Sequence, residues 1–156
     1  MVNFRKNVRL KDYDYKNNGA YFVTICTDFK KNLVYERERQ VLEEELKRLE
    51  TRFSGVRLDY YIIMENHLHV IFIFSDAEVS LPRVVQTFKS VSTLRLKKEG
   101  YKGKTFWQRN YYEHVIRNEK ALQRIREYIL NNPLVEKLKM EEIYGTPGQT
   151  SPATTK

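Results

Sequence analysis

Two histidines one residue apart, His67-Leu68-His69, stand inside a run of β-forming residues. The run reads Tyr61-Ile62-Ile63-Met64, a polar break at Glu65-Asn66, then His67-Leu68-His69-Val70-Ile71-Phe72-Ile73-Phe74. On a strand, residues i and i+2 leave the same face about 7 Å apart. Imidazoles at that spacing can converge on one divalent ion, and these are two of the three histidines in the chain. The spacing also suits two polar residues on the exposed face of a half-buried strand. A second arrangement lies in Glu127-Tyr128-Ile129-Leu130-Asn131-Asn132-Pro133, where Tyr128 and Asn132 share one face of a helix. With 11 tyrosines present, spacing alone makes Tyr128 a packed core residue.

The elements that must carry these residues follow from periodicity. Gly19 closes a polar opening segment, and 20–27, β-branched and aromatic, reads as a first strand. A helix is expected over 36–53, with Leu42, Leu46, Leu49 and Phe53 on one stripe, charged pairs Glu43/Lys47 and Glu44/Arg48 outside, and Gly55 ending it. Strands 57–64 and 67–74 form a tight antiparallel hairpin. Ser80 caps a second helix that buries Leu81, Val84, Val85, Phe88 and Val91 and tolerates Pro82 in its first turn. Segments 105–107 and 111–116 are extended. Asn118 caps a third helix running to about Asn131, where Pro133 stops it. The order β-α-β-β-α-β plus a helix predicts an α+β, ferredoxin-like antiparallel sheet, helices on one face, with an added C-terminal helix that carries Tyr128. Residues 1–144 read as one domain and 145–156 as a disordered tail, too poor in apolar residues to bury anything.

A net charge of +8 on 156 residues, with a sequence pI near 9.5, predicts an anionic partner. The charge is uneven. Residues 83–104 hold seven bases against one acid, whereas 36–50 hold six acids and four bases. The lone Cys26 sits in an apolar run and excludes an internal disulfide, as expected in a reducing compartment. No apolar stretch follows the basic N-terminus and none is long enough to span a bilayer, so a cytoplasmic protein with no membrane partner is expected.

Five blocks stand in order: Arg9-Leu10-Lys11-Asp12-Tyr13-Asp14-Tyr15; 19–27; Ile63-Met64-Glu65-Asn66-His67-Leu68-His69; 106–118, which opens Phe106-Trp107-Gln108-Arg109; and Tyr128-Ile129-Leu130-Asn131-Asn132-Pro133. Together they resemble the REP-associated tyrosine transposases, a branch of the single-tyrosine HUH transposases, over roughly residues 4–136. The resemblance implies a metal-dependent nuclease core that nicks and rejoins hairpin-bearing single-stranded DNA. In it Tyr128 is the nucleophile, forming a 5′-phosphotyrosine and leaving a free 3′-hydroxyl. His67 and His69 are the metal pair, and Asn132 supplies a third ligand. Many members carry Pro where this chain has Glu65. The chemistry is coherent: a phenol with a pKa near 10 needs a nearby cation and a proton acceptor, and a phosphodiester needs its charge neutralised. Mn²⁺ suits imidazole, and Mg²⁺ is the commoner cellular ion. Lys89, Arg95 and Arg117 are the expected DNA contacts, Trp107, Tyr111 and Tyr112 candidates for stacking on unpaired bases, and His114 a structural histidine. The alternative is a non-catalytic or domesticated hairpin-binding protein, since a basic ferredoxin-like sheet rich in aromatics also describes RNA-recognition domains. Monomer and homodimer both remain open.

Overall fold

The computed structural model describes residues 18–131 and the backbone of Pro152–Thr154. The elements run β1 (Asn18–Cys26), α1 (Glu36–Arg52), β2 (Val56–Ile63), β3 (His67–Ser75), α2 (Leu81–Lys98), β4 (Asn110–Ile116), α3 (Glu119–Asn131) and β5 (Pro152–Thr154). The sheet order is β2-β3-β1-β4-β5, and every neighbouring pair is antiparallel. β3 is thus inserted between β1 and β2, which gives the ferredoxin-like α+β arrangement that the element order predicts. Asn132 and Pro133 lie outside the described residues. So does the segment 145–156, expected to be disordered, apart from Pro152–Thr154, which pairs with Asn110–Tyr112 as β5. Segment 105–107 forms no strand; its one ladder contact is the bridge from Trp107 to Thr27.

Alternation along the two central strands builds two cores. Tyr21, Val23 and Ile25 of β1 and Leu68, Val70, Phe72 and Phe74 of β3 face α1 and α2. Ala20, Phe22, Ile71 and Ile73 point the other way and meet Leu122, Ile125, Tyr128 and Ile129 of α3. The added helix therefore covers the face opposite α1 and α2. A bulge in β2 between Leu58 and Tyr61 inserts an extra residue. It lets Asp59 bind Arg126 of α3 through two hydrogen bonds of 2.7 Å, with the guanidinium 5.3 Å from the Tyr60 ring. The caps are as the sequence indicates: Asn118 Oδ1 accepts from the Ala121 N–H at 2.8 Å, and Ser80 Oγ from Arg83 N–H at 3.4 Å. Gly55 turns the chain at φ +83°, where an added Cβ would lie 2.5 Å from the Ser75 carbonyl oxygen. No helix among the described residues is long and apolar enough to cross a membrane.

Candidate active site

His67 and His69 leave β3 on the α3 side, as period-two alternation requires, with ring centroids 4.8 Å apart. Across the ladder they pair with Cys26 and Thr24 of β1. The Thr24 hydroxyl and His69 Nδ1 share a hydrogen bond of 2.8 Å in a buried setting. That contact fixes the ring and leaves Nε2 on the side of α3, where the Tyr128 hydroxyl stands 3.5 Å away. At this length the contact is weak. The Tyr128 ring also packs edge-on against His69 at 5.5 Å and Phe22 at 6.1 Å. Tyr128 is only 1% exposed. The core position read from its spacing and the phenol read from the resemblance are thus the same place.

His67 lies at the edge of this cluster. Its Nδ1 shares a 2.7 Å hydrogen bond with Asn66 Oδ1. The turn before it is pinned from both sides: the Thr27 N–H donates to the Asn66 carbonyl, and the Leu33 and Val34 N–H groups donate to the Glu65 carbonyl. Backbone bonds hold this turn where a proline would stiffen it. Beside it a hollow of about 400 Å³ opens on His67, lined also by Arg39, Ile62, Met64 and Asn32. Two imidazoles on one face, one reached from this hollow, fit a divalent ion that keeps positions open for substrate. Among the described residues no group of three His, Cys, Asp or Glu side chains forms a closed metal site. The third ligand expected at Asn132 lies outside the described residues.

Two of the three cations expected on DNA are spent inside the protein. Lys89 is 9% exposed, and its ammonium donates to the carbonyls of Gln108, Arg109 and Asn110 at 2.7, 3.3 and 3.1 Å. Burial pushes its pKa down to about 8. It is a strut under the segment entering β4. Arg95 binds Glu44 at 2.9 Å, Glu45 at 3.0 Å and Glu99 at 3.6 Å, joining α2 to α1. Arg48 turns to Glu45 at 2.8 Å rather than to Glu44. A local charge count does not anticipate the partners of Lys89 or the Glu44 and Glu45 partners of Arg95, because those carbonyls and carboxylates come from distant sequence. Arg117 is exposed beside the start of α3. Burial and this guanidinium hold the His114 pKa below its ordinary value. The exposed cations Lys97, Lys104 and Arg109 line a groove of about 460 Å³ with Leu94. Trp107 and Tyr111 belong to the core: Trp107 Nε1 donates to Ser92 Oγ at 3.0 Å, and Tyr111 is fully buried. Tyr112 is half-buried, paired across the ladder with Thr24. Sequence reasoning did not find Thr24 or Asn66. Asn66 carried a signal, since it adjoins His67; Thr24 is visible only through the β1–β3 register.

The family described as IS200-like transposases matches residues 15–132. An uncharacterized Haemophilus influenzae protein is 32% identical over 86% of this chain and 91% of its own length. A second protein of that organism, provisionally named a REP-associated tyrosine transposase, is 23% identical over 86% of this chain and 77% of its own. Among solved structures, a REP-associated tyrosine transposase bound to a REP hairpin superposes with a TM-score of 0.66 at 18% identity, covering 90% of this chain and 74% of that one. The fold is shared.

Proposed function

The chain belongs to the IS200-like transposase family, and from that footing we propose that it nicks and rejoins hairpin-bearing single-stranded DNA through a covalent 5′-phosphotyrosine at Tyr128. The observation that carries this reading is the contact of the Tyr128 hydroxyl with His69 beside His67, three side chains from two elements 59 residues apart in sequence. The hairpin as substrate class comes from the solved relative, which is bound to one.

In the transfer, the Tyr128 oxygen forms a bond to phosphorus while the bond from phosphorus to the 3′-oxygen breaks. The phenolic proton passes to solvent, and the departing 3′-oxygen takes one up. The ester keeps the energy of the broken bond, so rejoining runs in reverse without a nucleotide triphosphate. His67 and His69, with Asn132, would hold Mg²⁺ or Mn²⁺, which supplies positive charge for the phosphate and the phenolate. Thr24 sets the His69 ring. Packing against Phe22 aims the phenol, and α3 has to ease away from the sheet for a phosphate to reach an oxygen so enclosed.

The test is covalent capture. Protein incubated with Mn²⁺ and labelled hairpin DNA carrying single-stranded flanks is expected to give a denaturant-resistant adduct on the peptide containing Tyr128. Tyr128→Phe keeps the ring in its packing and abolishes the adduct. An adduct persisting in that variant moves the role to another tyrosine, and none in the wild type across candidate hairpins favours a binding protein.

A further inference from the structure

Beyond the end of β1 the chain makes one short helical turn, Asp28–Lys30, whose backbone is unusual. Phe29 and Lys30 both have φ of +54° though neither is glycine, a conformation that bulky L side chains rarely adopt. The Phe29 ring gains nothing from the core for this, since it is 80% exposed, the most exposed large apolar side chain among the described residues. The turn is held firmly all the same. Asp28 N–H donates to the Phe106 carbonyl at 2.9 Å, the Thr105 hydroxyl donates to the Asp28 carboxylate at 2.8 Å, and the Thr27 hydroxyl donates to the Lys31 carbonyl at 2.7 Å. A rigid turn in a costly conformation that holds an aromatic ring in solvent points to a task outside the fold.

Its location narrows the task. Asn66, which holds His67, donates to the Lys30 carbonyl at 3.4 Å, and Asn32 lines the hollow that opens on His67. Lys30 and Lys31 adjoin the ring, with Lys31 Nζ 5.7 Å from its centroid. An exposed aromatic face beside two cations is the pattern that receives an unpaired base together with its phosphate. We propose that Phe29 is a stacking platform for an unpaired base in the single strand that leads from the hairpin to the His67–Tyr128 site, with Lys30 and Lys31 taking the adjoining phosphate. The assignment rests on the transposase reading for its ligand. It replaces Trp107 and Tyr111, whose rings are enclosed, as the aromatic that meets DNA.

Anisotropy of labelled hairpins, without divalent metal so that no strand is cut, tests it. The probes are one hairpin with single-stranded flanks and the same hairpin trimmed blunt. Phe29→Ala is expected to weaken binding of the flanked hairpin on the order of tenfold, the usual weight of one stacked base, and to leave the blunt one unchanged. Phe29→Tyr should bind as wild type, whereas Phe29→Leu, apolar without a ring, should behave as the alanine variant. Circular dichroism melts are expected to coincide, because the ring is exposed. Wild-type affinity of Phe29→Ala for the flanked hairpin, or an equal loss on both probes, overturns the platform. Either result leaves the Tyr128 adduct as a separate readout of the chemistry. Failure of the wild-type protein to bind any flanked hairpin overturns both.

Discussion

The two faces of the sheet are built for different work. The face under α1 and α2 buries 24 apolar side chains among the described residues, and the buried carboxylate of Glu45 is paired with Arg48 and Arg95. The face under α3 buries nine, and at one end their place is taken by His67, His69, Thr24 and the hydroxyl of Tyr128. Polar groups at the heart of a small core weaken it, because each must find a partner or cost free energy. α3 accordingly leans on the Arg126–Asp59 pair at the β2 bulge as well as on Ile125 and Ile129. One face is built almost wholly for burial, and the other gives up apolar contacts to place polar side chains under α3.

Matched substitutions can break that division. Phe72→Ala on the α1/α2 face should lower the unfolding free energy by about 3–5 kcal/mol, through reduced burial and the cavity left behind. His67→Ala on the opposite face gives up the hydrogen bond to its neighbour Asn66, which contributes about 1 kcal/mol, together with the ring contact on His69, and should cost less than Phe72→Ala. It should nevertheless abolish the Mn²⁺-dependent adduct. Urea melts and adduct yield on the same preparations separate the two effects. Equal losses of stability, or a wild-type adduct yield in His67→Ala, would contradict it.

Lys89 sharpens the comparison because it is a charge within the stable face. Its pKa in the folded protein is about 8 against an ordinary 10.5, so its ammonium is charged in both states below pH 8 and the desolvation cost is then fully present. Between pH 8 and 10.5 the unfolded chain binds more protons, and stability should rise with pH by at most about 3 kcal/mol. The three carbonyls favour the charged form and reduce that rise. Lys89→Met removes the cation and leaves those carbonyls without their donor, for an expected drop in stability of about 1–3 kcal/mol at pH 7. Urea midpoints at pH 7 and about pH 9.5, inside that window, should show the rise in wild type and not in the variant. Parallel pH dependence would mean that Lys89 has an ordinary pKa.

Elements with a strong period were legible from sequence alone. The β3 alternation that sets both histidines on one face, the Asn118 cap and the Leu42/Leu46/Leu49 stripe all depend on neighbours within a few residues. What depends on tertiary register was not. Thr24 meets His69 across 45 residues, and Lys89 and Arg95 read as free cations until chain from elsewhere surrounds them. Phe29 was hidden for a different reason. In a short turn no period reports on exposure, and its positive φ belongs to the backbone rather than to the composition.

The smallest effect on stability is expected where the charge is solvent-facing. Lys97 and Lys104 are exposed and line the groove between α2 and the segment leading into β4, with Arg109 beside them and no acidic residue among the lining side chains. Replacing both by Gln should change the unfolding free energy from urea melts by less than about 0.5 kcal/mol, as expected of exposed positions. If this groove carries the DNA backbone, each phosphate deprived of its cation should reduce the slope of log affinity against log salt by about 0.7–0.9. Lys89→Met, which removes an ammonium already bound to three carbonyls, should keep the full slope. The reverse pattern would return DNA binding to Lys89 and mean that the β4 entry opens to release it. An unchanged slope in both variants would send the backbone over Arg117 and the α3 side, along the face that already holds the histidines.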